Sequence, residues 1–155
     1  MTNTKDTAGV IAPPPLIYLT GLLLGGVIGW FYPVMSLPNA VRYVLGGVLI
    51  AFGLGIVYLA KRKMTKAKTN IEPWKPTTAI LSDGIYGHSR NPIYAALVII
   101  YCGAALFLDL IWSLPLLIPV LFVIHFGVIK REEKYLENKF GGEYLTYRKR
   151  VRRWI

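Results

Sequence analysis

The chain has 155 residues, 54% of them hydrophobic, a mean hydropathy of +0.46 and a formal net charge of +10. A water-soluble domain of this length is rarely so apolar, and such a charge calls for an anionic neighbour; apolar spans with basic loops on one side of a bilayer account for both. The single cysteine, Cys102, excludes an internal disulfide framework and is read as a small apolar packing residue.

The chain opens on a polar stretch whose only positive charge is Lys5, and Pro13-Pro14-Pro15 interrupts the approach to the first apolar run. No cleavable signal peptide is predicted, and residues 1–15 are expected to be disordered. Four apolar spans follow, over residues 16–32, 41–60, 92–108 and 110–129, each long enough to cross ~30 Å of hydrocarbon at ~1.5 Å per residue. In the first, Gly21, Gly25 and Gly29 form a small-xxx-small stripe, read as intramolecular packing in preference to a dimer interface, with the oligomeric state left open. The second is thinned by Gly46, Gly47, Gly53 and Gly55, and Arg42 at its outer end is expected to snorkel. Pro115 and Pro119 bend the first turns of the fourth. Tyr18, Trp30, Tyr32 and Trp112 fall where aromatic belts belong.

Seventeen of the 18 Lys and Arg residues then lie on one side, leaving only Arg42 opposite. The positive-inside rule places both termini and the loop 61–91 in the cytoplasm, in an integral, multi-pass membrane protein. The fold class is all-α: one membrane domain over 1–155, a bundle of four transmembrane helices with a cytoplasmic C-terminal amphipathic helix. Spans three and four, joined around Asp109, form a tight antiparallel hairpin whose cytoplasmic ends are neighbours. Residues 130–155 continue as cytoplasmic helices capped at Gly141-Gly142, with Tyr144, Tyr147 and Val151 on one face and basic residues around them. That face is read as lying on anionic membrane lipids; the lipid surface accounts for the charge, so no nucleic-acid partner is expected.

Polar chemistry concentrates at the mouth of the hairpin. In SDGIYGHSRNPIY, residues 82–94, Gly84 and Gly87 allow unusual backbone geometry, and Asn91-Pro92 reads as a helix N-cap followed by proline at the first helical position. Unpaired N–H groups at such a terminus suit an anion. Candidates for chemistry are Arg90, Asn91 and Tyr94; the adjacent acids Glu132 and Glu133; and His125, seven residues before Glu132 and so on roughly the same helical face. For each a plain alternative stands: a cap with interfacial side chains, solvated ion pairs, a histidine bonded to a nearby carbonyl. His88, in the loop, is a weaker candidate. The two histidines and the cysteine give no metal-ligand spacing, so no metal is expected.

The stretches GIYGHSRNPIY and REEKYLENKFGGEYLTYRKRV, separated by a helical hairpin, resemble the integral-membrane methyltransferases of the isoprenylcysteine carboxyl methyltransferase and phospholipid methyltransferase group. The resemblance covers about residues 78–151, and the first two spans match only as hydrophobic helices. It implies S-adenosyl-L-methionine as cofactor at the cytoplasmic end of the hairpin. It further implies cofactor contacts at Thr78, Ala79, Ile80, Leu81, Tyr86, Asn91, Pro92, Ile93, Tyr94 and Glu132. In this reading Glu132 takes the cofactor ammonium, the Asn91 terminus takes its carboxylate, and Arg90 or Arg131 orients an anionic group. Tyr86 or Tyr94 offers a ring face to the adenine or the sulfonium.

Two positions depart from the family pattern. Its usual histidine is Asn91 here, and the arginine that faces a prenylcysteine carboxylate is Val128. The acceptor is therefore left as a lipophilic or small amphiphilic molecule: a prenylcysteine, a lipid amine or a thiol. Two other functions remain open from sequence, a non-catalytic membrane scaffold and a small four-helix transporter. The transporter needs an ionisable group deep in a span, and the candidates Asp109 and His125 sit near span ends.

Overall fold

The computed structural model describes residues 6–34, 37–70, 72 and 74–154. Among these every regular element is helical. The helices are α1 (Pro14–Phe31), α2 (Asn39–Lys66), α3 (Pro92–Phe107), α4 (Ser113–Ile124), α5 (Lys130–Phe140) and α6 (Gly142–Arg150). A 3₁₀ turn covers Gly84–Gly87, and a π-helical segment, His125–Ile129, joins α4 to α5 without a break. Three apolar helical stretches are long enough to cross a membrane, Pro14–Phe31, Asn39–Lys66 and Ser113–Phe140, while Pro92–Phe107 is shorter. Ser113–Phe140 has 28 residues. At ~1.5 Å per residue it outruns ~30 Å of hydrocarbon, so its charged end, from Lys130 onward, projects beyond the apolar layer.

Glycines set the packing. A Cβ on Gly103 would come within 2.9 Å of Gly46 O, and one on Gly46 within 2.7 Å of Gly103 O, so α2 and α3 meet backbone to backbone. A Cβ on Gly25 would lie 2.5 Å from the Ser113 backbone, which brings α1 equally close to α4. Here the Gly21/Gly25 stripe is used inside the chain. Leu23, Val44, Ile118 and Phe122 point outward and are exposed, as a lipid-facing surface requires.

Several local expectations change. Residues 6–13 are laid along the π-helical segment and α5: Ile11 N–H donates to Gly127 O (3.2 Å), Arg131 to Gly9 O (2.8 Å), and Asp6 pairs with Lys139 (2.6 Å). Gly127, lacking a side chain, leaves the space that Ile11 fills. Residues 1–5 of the predicted disordered stretch lie outside the described residues. Helix α2 runs past its predicted end at 60 to Lys66, because KRKMTK contains good helix formers and no breaker. The fourth apolar segment begins its helix at Ser113; Leu110–Trp112 form a turn after Asp109, whose φ is +61°.

Tyr18 belongs to no aromatic belt: it is 4% exposed, in a core with Tyr94, Tyr101, Val120, Ile124, Val128 and Ile129. Arg42 does not snorkel freely but pairs with Asp109 at 2.7 Å, tying the start of α2 to the α3–α4 turn. The face Tyr144, Tyr147, Val151 is buried against Ile80, Leu136 and Phe140. The expected lipid-facing surface is thus covered by the protein, and Val151 lies just past the end of α6 in extended conformation.

Candidate active site

At the end of the bundle opposite Asp109, the C-terminal end of α2, the N-termini of α1 and α3, α5, α6 and the loop between α2 and α3 surround a cavity of about 430 Å³. This is the size of a small-molecule site. Its lining combines the apolar Leu54, Val57, Leu97, Ile100 and Leu136 with Asn70, Trp74, Tyr86, Arg90 and Glu132.

The hinge leading into α3 is fixed from several directions. Gly84, with φ +57°, starts the 3₁₀ turn, and Lys63 pairs with Asp83 just before it. Tyr147 donates its hydroxyl to Tyr86 O (2.8 Å), and Arg150 donates to Ser82 O (3.1 Å), so α6 holds the hinge from behind. Tyr86 is buried, and burial, then the neighbouring Tyr147 and Glu132, keep its phenol protonated well above the usual tyrosine range. His88 only closes the turn locally, its Nδ1 lying 3.0 Å from Gly84 O.

Pro92 opens α3 at the predicted position, but Asn91 does not cap it with its side chain. Its Nδ2 donates to Arg153 O (3.0 Å), while Ser89 Oγ accepts the Asn91 N–H (3.1 Å). Pro92 has no N–H, and those of Ile93 and Tyr94 precede the first intrahelical bond, from Ala95 N–H to Asn91 O (3.1 Å). This end of a 16-residue helix therefore directs partial positive charge at the cavity, which Ile93 and Tyr94 line.

Glu132 and Glu133 have opposite surroundings. Glu132 faces the cavity and accepts the Tyr94 hydroxyl at 2.7 Å; among the described residues no cation forms an ion pair with it. Burial raises its carboxyl to about 7, against the lowering effect of the Tyr94 bond and with a further push from Glu133. Glu133 takes a bidentate pair from Arg153 (2.9 and 2.7 Å) and a contact from Arg90 at 3.1 Å. Burial alone would raise it; the Arg153 bonds and the charges of Arg90, Arg153 and Arg148 hold it below the usual carboxylate range.

Of the residues singled out from sequence, Ala79, Ile80, Leu81, Tyr86, Arg90, Asn91, Pro92, Ile93, Tyr94 and Glu132 line this one cavity. Thr78 does not; it is exposed and braces the loop, donating Oγ1 to Lys68 O (2.9 Å) and its N–H to Thr69 Oγ1 (3.1 Å). Arg131 is exposed and bonded to Gly9 O, away from the cavity. His125 also lies outside it, because the π-helical segment widens the helix and breaks the seven-residue alignment with Glu132. Sequence reasoning missed Trp74, Tyr144 and Tyr147 as wall residues, and Arg153 as a partner of the acid pair. The repeat at 144 and 147 was visible, but periodicity marks an apolar face without naming what covers it.

An acid with no ion pair among the described residues, N–H groups of a helix's first turn and apolar walls complement a zwitterionic nucleoside. Among the described residues no cluster of ligating side chains could hold a metal ion. Fold and site thus define a helical membrane protein with a ligand cavity at one end of its bundle. Comparison with known families matches residues 41–143, about two thirds of the chain, to Phospholipid methyltransferase. The chain belongs to this family of multi-pass membrane proteins. It is 30% identical over 118 residues to the Protein-S-isoprenylcysteine O-methyltransferase of Saccharomyces cerevisiae, covering 75% of this chain but only 49% of the yeast protein, about half its length. It is 43% identical over 65 residues to an uncharacterized protein of Haemophilus influenzae, covering 41% of this chain and the whole of that one. No solved structure matches the chain.

Proposed function

We propose that this protein is an S-adenosyl-L-methionine-dependent methyltransferase that modifies a lipophilic or small amphiphilic acceptor at the cytoplasmic face of a membrane. The observation carrying this reading is Glu132, a cavity acid held by Tyr94 and without an ion-pair partner among the described residues, beside the N-terminus of α3. When bound, the cofactor supplies an already activated methyl group on a sulfonium. The chain's task is to bind, orient and exclude water. Glu132 receives the ammonium, the Ile93 and Tyr94 N–H groups receive the carboxylate, and Tyr86 and Ile80 flank the ring system. Arg90 is a wall residue whose guanidinium is occupied by Glu133 and Tyr144, which suits positioning better than direct contact with an acceptor.

The apolar lining from α2 and α3, with Leu54, Val57, Leu97 and Ile100, suits an acyl or prenyl chain arriving from the bilayer. In this reading α3, although 16 residues long, is a fourth span, and the basic end bearing the cavity faces the cytoplasm with both termini. The reading predicts that membranes containing the protein, incubated with methyl-labelled cofactor, transfer label to an organic-extractable or small-molecule fraction. Unlabelled fractions alongside intact, folded protein would contradict it.

A further inference from the structure

The two consecutive acids pose a problem that the methyltransferase reading does not address. Successive residues on an α-helix are turned by roughly 100°, so Glu132 and Glu133 look in different directions. Arg90 lines the same cavity as both. Its side chain is only 9% exposed, its Nε has no acceptor among the described residues, and its contact with the Tyr144 hydroxyl at 3.3 Å is neutral. A guanidinium so placed needs an anion. The acids lining the cavity are Glu72, Glu132 and Glu133, and Glu72 pairs with Lys75 at 3.2 Å. Without Glu133, the anion left for Arg90 is Glu132.

We propose that Glu133 is a positioning residue: by holding Arg90 it keeps that guanidinium off Glu132 and reserves the second acid for a cationic ligand. The inference rests on the proposed cofactor reading for the identity of the ligand. The C-terminal tail is built to maintain the arrangement. Arg90 N–H donates to Arg152 O (3.0 Å), while Asn91 Nδ2 (3.0 Å) and Ser89 Oγ (3.4 Å) both donate to Arg153 O. These bonds fix the Arg153 backbone, so its fork meets Glu133 with little freedom to wander. The charged and titratable groups that line the cavity with Glu132 are Lys61 from α2, Glu72 and Tyr86 from the loop, Arg90 just before α3, Tyr94 from α3, Glu133 and Tyr135 on its own helix, and Tyr144 and Tyr147 from α6.

The test follows Glu132 in the ligand-free protein through the infrared band of its protonated carboxyl, assigned by its loss in Glu132→Gln. In Glu133→Gln the titration midpoint is expected to move toward acid by about 1–3 pH units as Arg90 turns to Glu132. Affinity for S-adenosylhomocysteine is expected to fall about tenfold or more. Adding Arg90→Met to Glu133→Gln returns the midpoint most of the way, short only of the part owed to the lost Glu133 charge itself, and restores most of the affinity. An unmoved midpoint in Glu133→Gln, or a displacement of undiminished size without Arg90, overturns the proposal. Should Glu133→Gln not fold, Glu133→Asp, one methylene too short to hold both arginines, provides the same comparison. A wild-type protein that shows the infrared behaviour but no S-adenosylhomocysteine binding would overturn the cofactor reading alone. Undiminished binding in Glu133→Gln would overturn the positioning role alone.

Discussion

Tyr94 and Glu132 meet across the α3–α5 junction at 2.7 Å, the phenol donating to a carboxylate that has no cationic partner among the described residues. The contact links the first turn of α3 to the charged extension of the fourth apolar segment, and everything else around the cavity surrounds it. Removing the donor in Tyr94→Phe withdraws the bond that favours the ionised acid. S-adenosylhomocysteine binding is expected to weaken roughly three- to tenfold, the size of one hydrogen bond, with its pH dependence displaced toward alkaline values. Calorimetric titration at several pH values reads both changes.

The raised carboxyl of Glu132 gives a pH dependence of stability with a defined sign. Its folded-state value, about 7, lies above the ordinary 4.5, so its stabilising contribution is complete below about 4.5 and is lost as pH rises through 7. Glu133 works in the opposite sense: it is held below its ordinary value, so its contribution is present at neutral pH and lost only in acid. Thermal unfolding of the ligand-free protein in detergent should show Tm falling between about pH 4.5 and 7. In Glu132→Gln that decline should disappear. Ligand affinity should run the other way, rising as pH passes about 7 and Glu132 ionises in the folded protein.

The glycines divide into those that permit close helix approach and those that do not. Gly25→Val places a side chain where a Cβ alone would lie 2.5 Å from the Ser113 backbone, and should destabilise the fold by about 1–3 kcal/mol or more through overpacking. Gly47 has open space on the same test, so Gly47→Ala should be neutral or stabilising by up to about 1 kcal/mol from helix propensity. Comparing the unfolding of the two variants separates packing from propensity.

At the far end of the bundle, Arg42 and Asp109 form a 2.7 Å pair while Arg42 Nε and Asp109 Oδ1 are buried without partners among the described residues. Asp109→Asn should destabilise the protein by about 1–3 kcal/mol, the value of a hydrogen bond to a charged group. Adding Arg42→Gln should recover part of the loss, because no unpaired guanidinium then remains. A double-mutant cycle on thermal unfolding measures the coupling.

Much of this was legible from residue order because strong local signals coincide with the architecture. Asn91-Pro92 starts α3 where it should, the short connection at Asp109 forces a hairpin, and that hairpin brings Glu132 to Tyr94. What the sequence hid depends on three-dimensional partners. Tyr144 and Tyr147 have the spacing of a membrane-surface helix yet pack on Ile80 and Leu136. His125 shares a face with Glu132 only on an unbroken α-helix, which the segment His125–Ile129 is not. Arg131 and Arg153 are equally basic in one dimension, but only Arg153 reaches the acid pair, because the tail is stitched to the hinge by Ser89, Arg90 and Asn91.

The most direct measurement is calorimetric titration of the purified protein with S-adenosylhomocysteine near pH 8, beside Glu132→Gln and the surface control Glu137→Gln, whose acid pairs with Arg148 outside the cavity. One saturable site in the wild type, retained in Glu137→Gln and weakened about tenfold or more in Glu132→Gln, is the predicted result. An absence of binding to the wild type, or equal binding by all three proteins, would contradict it.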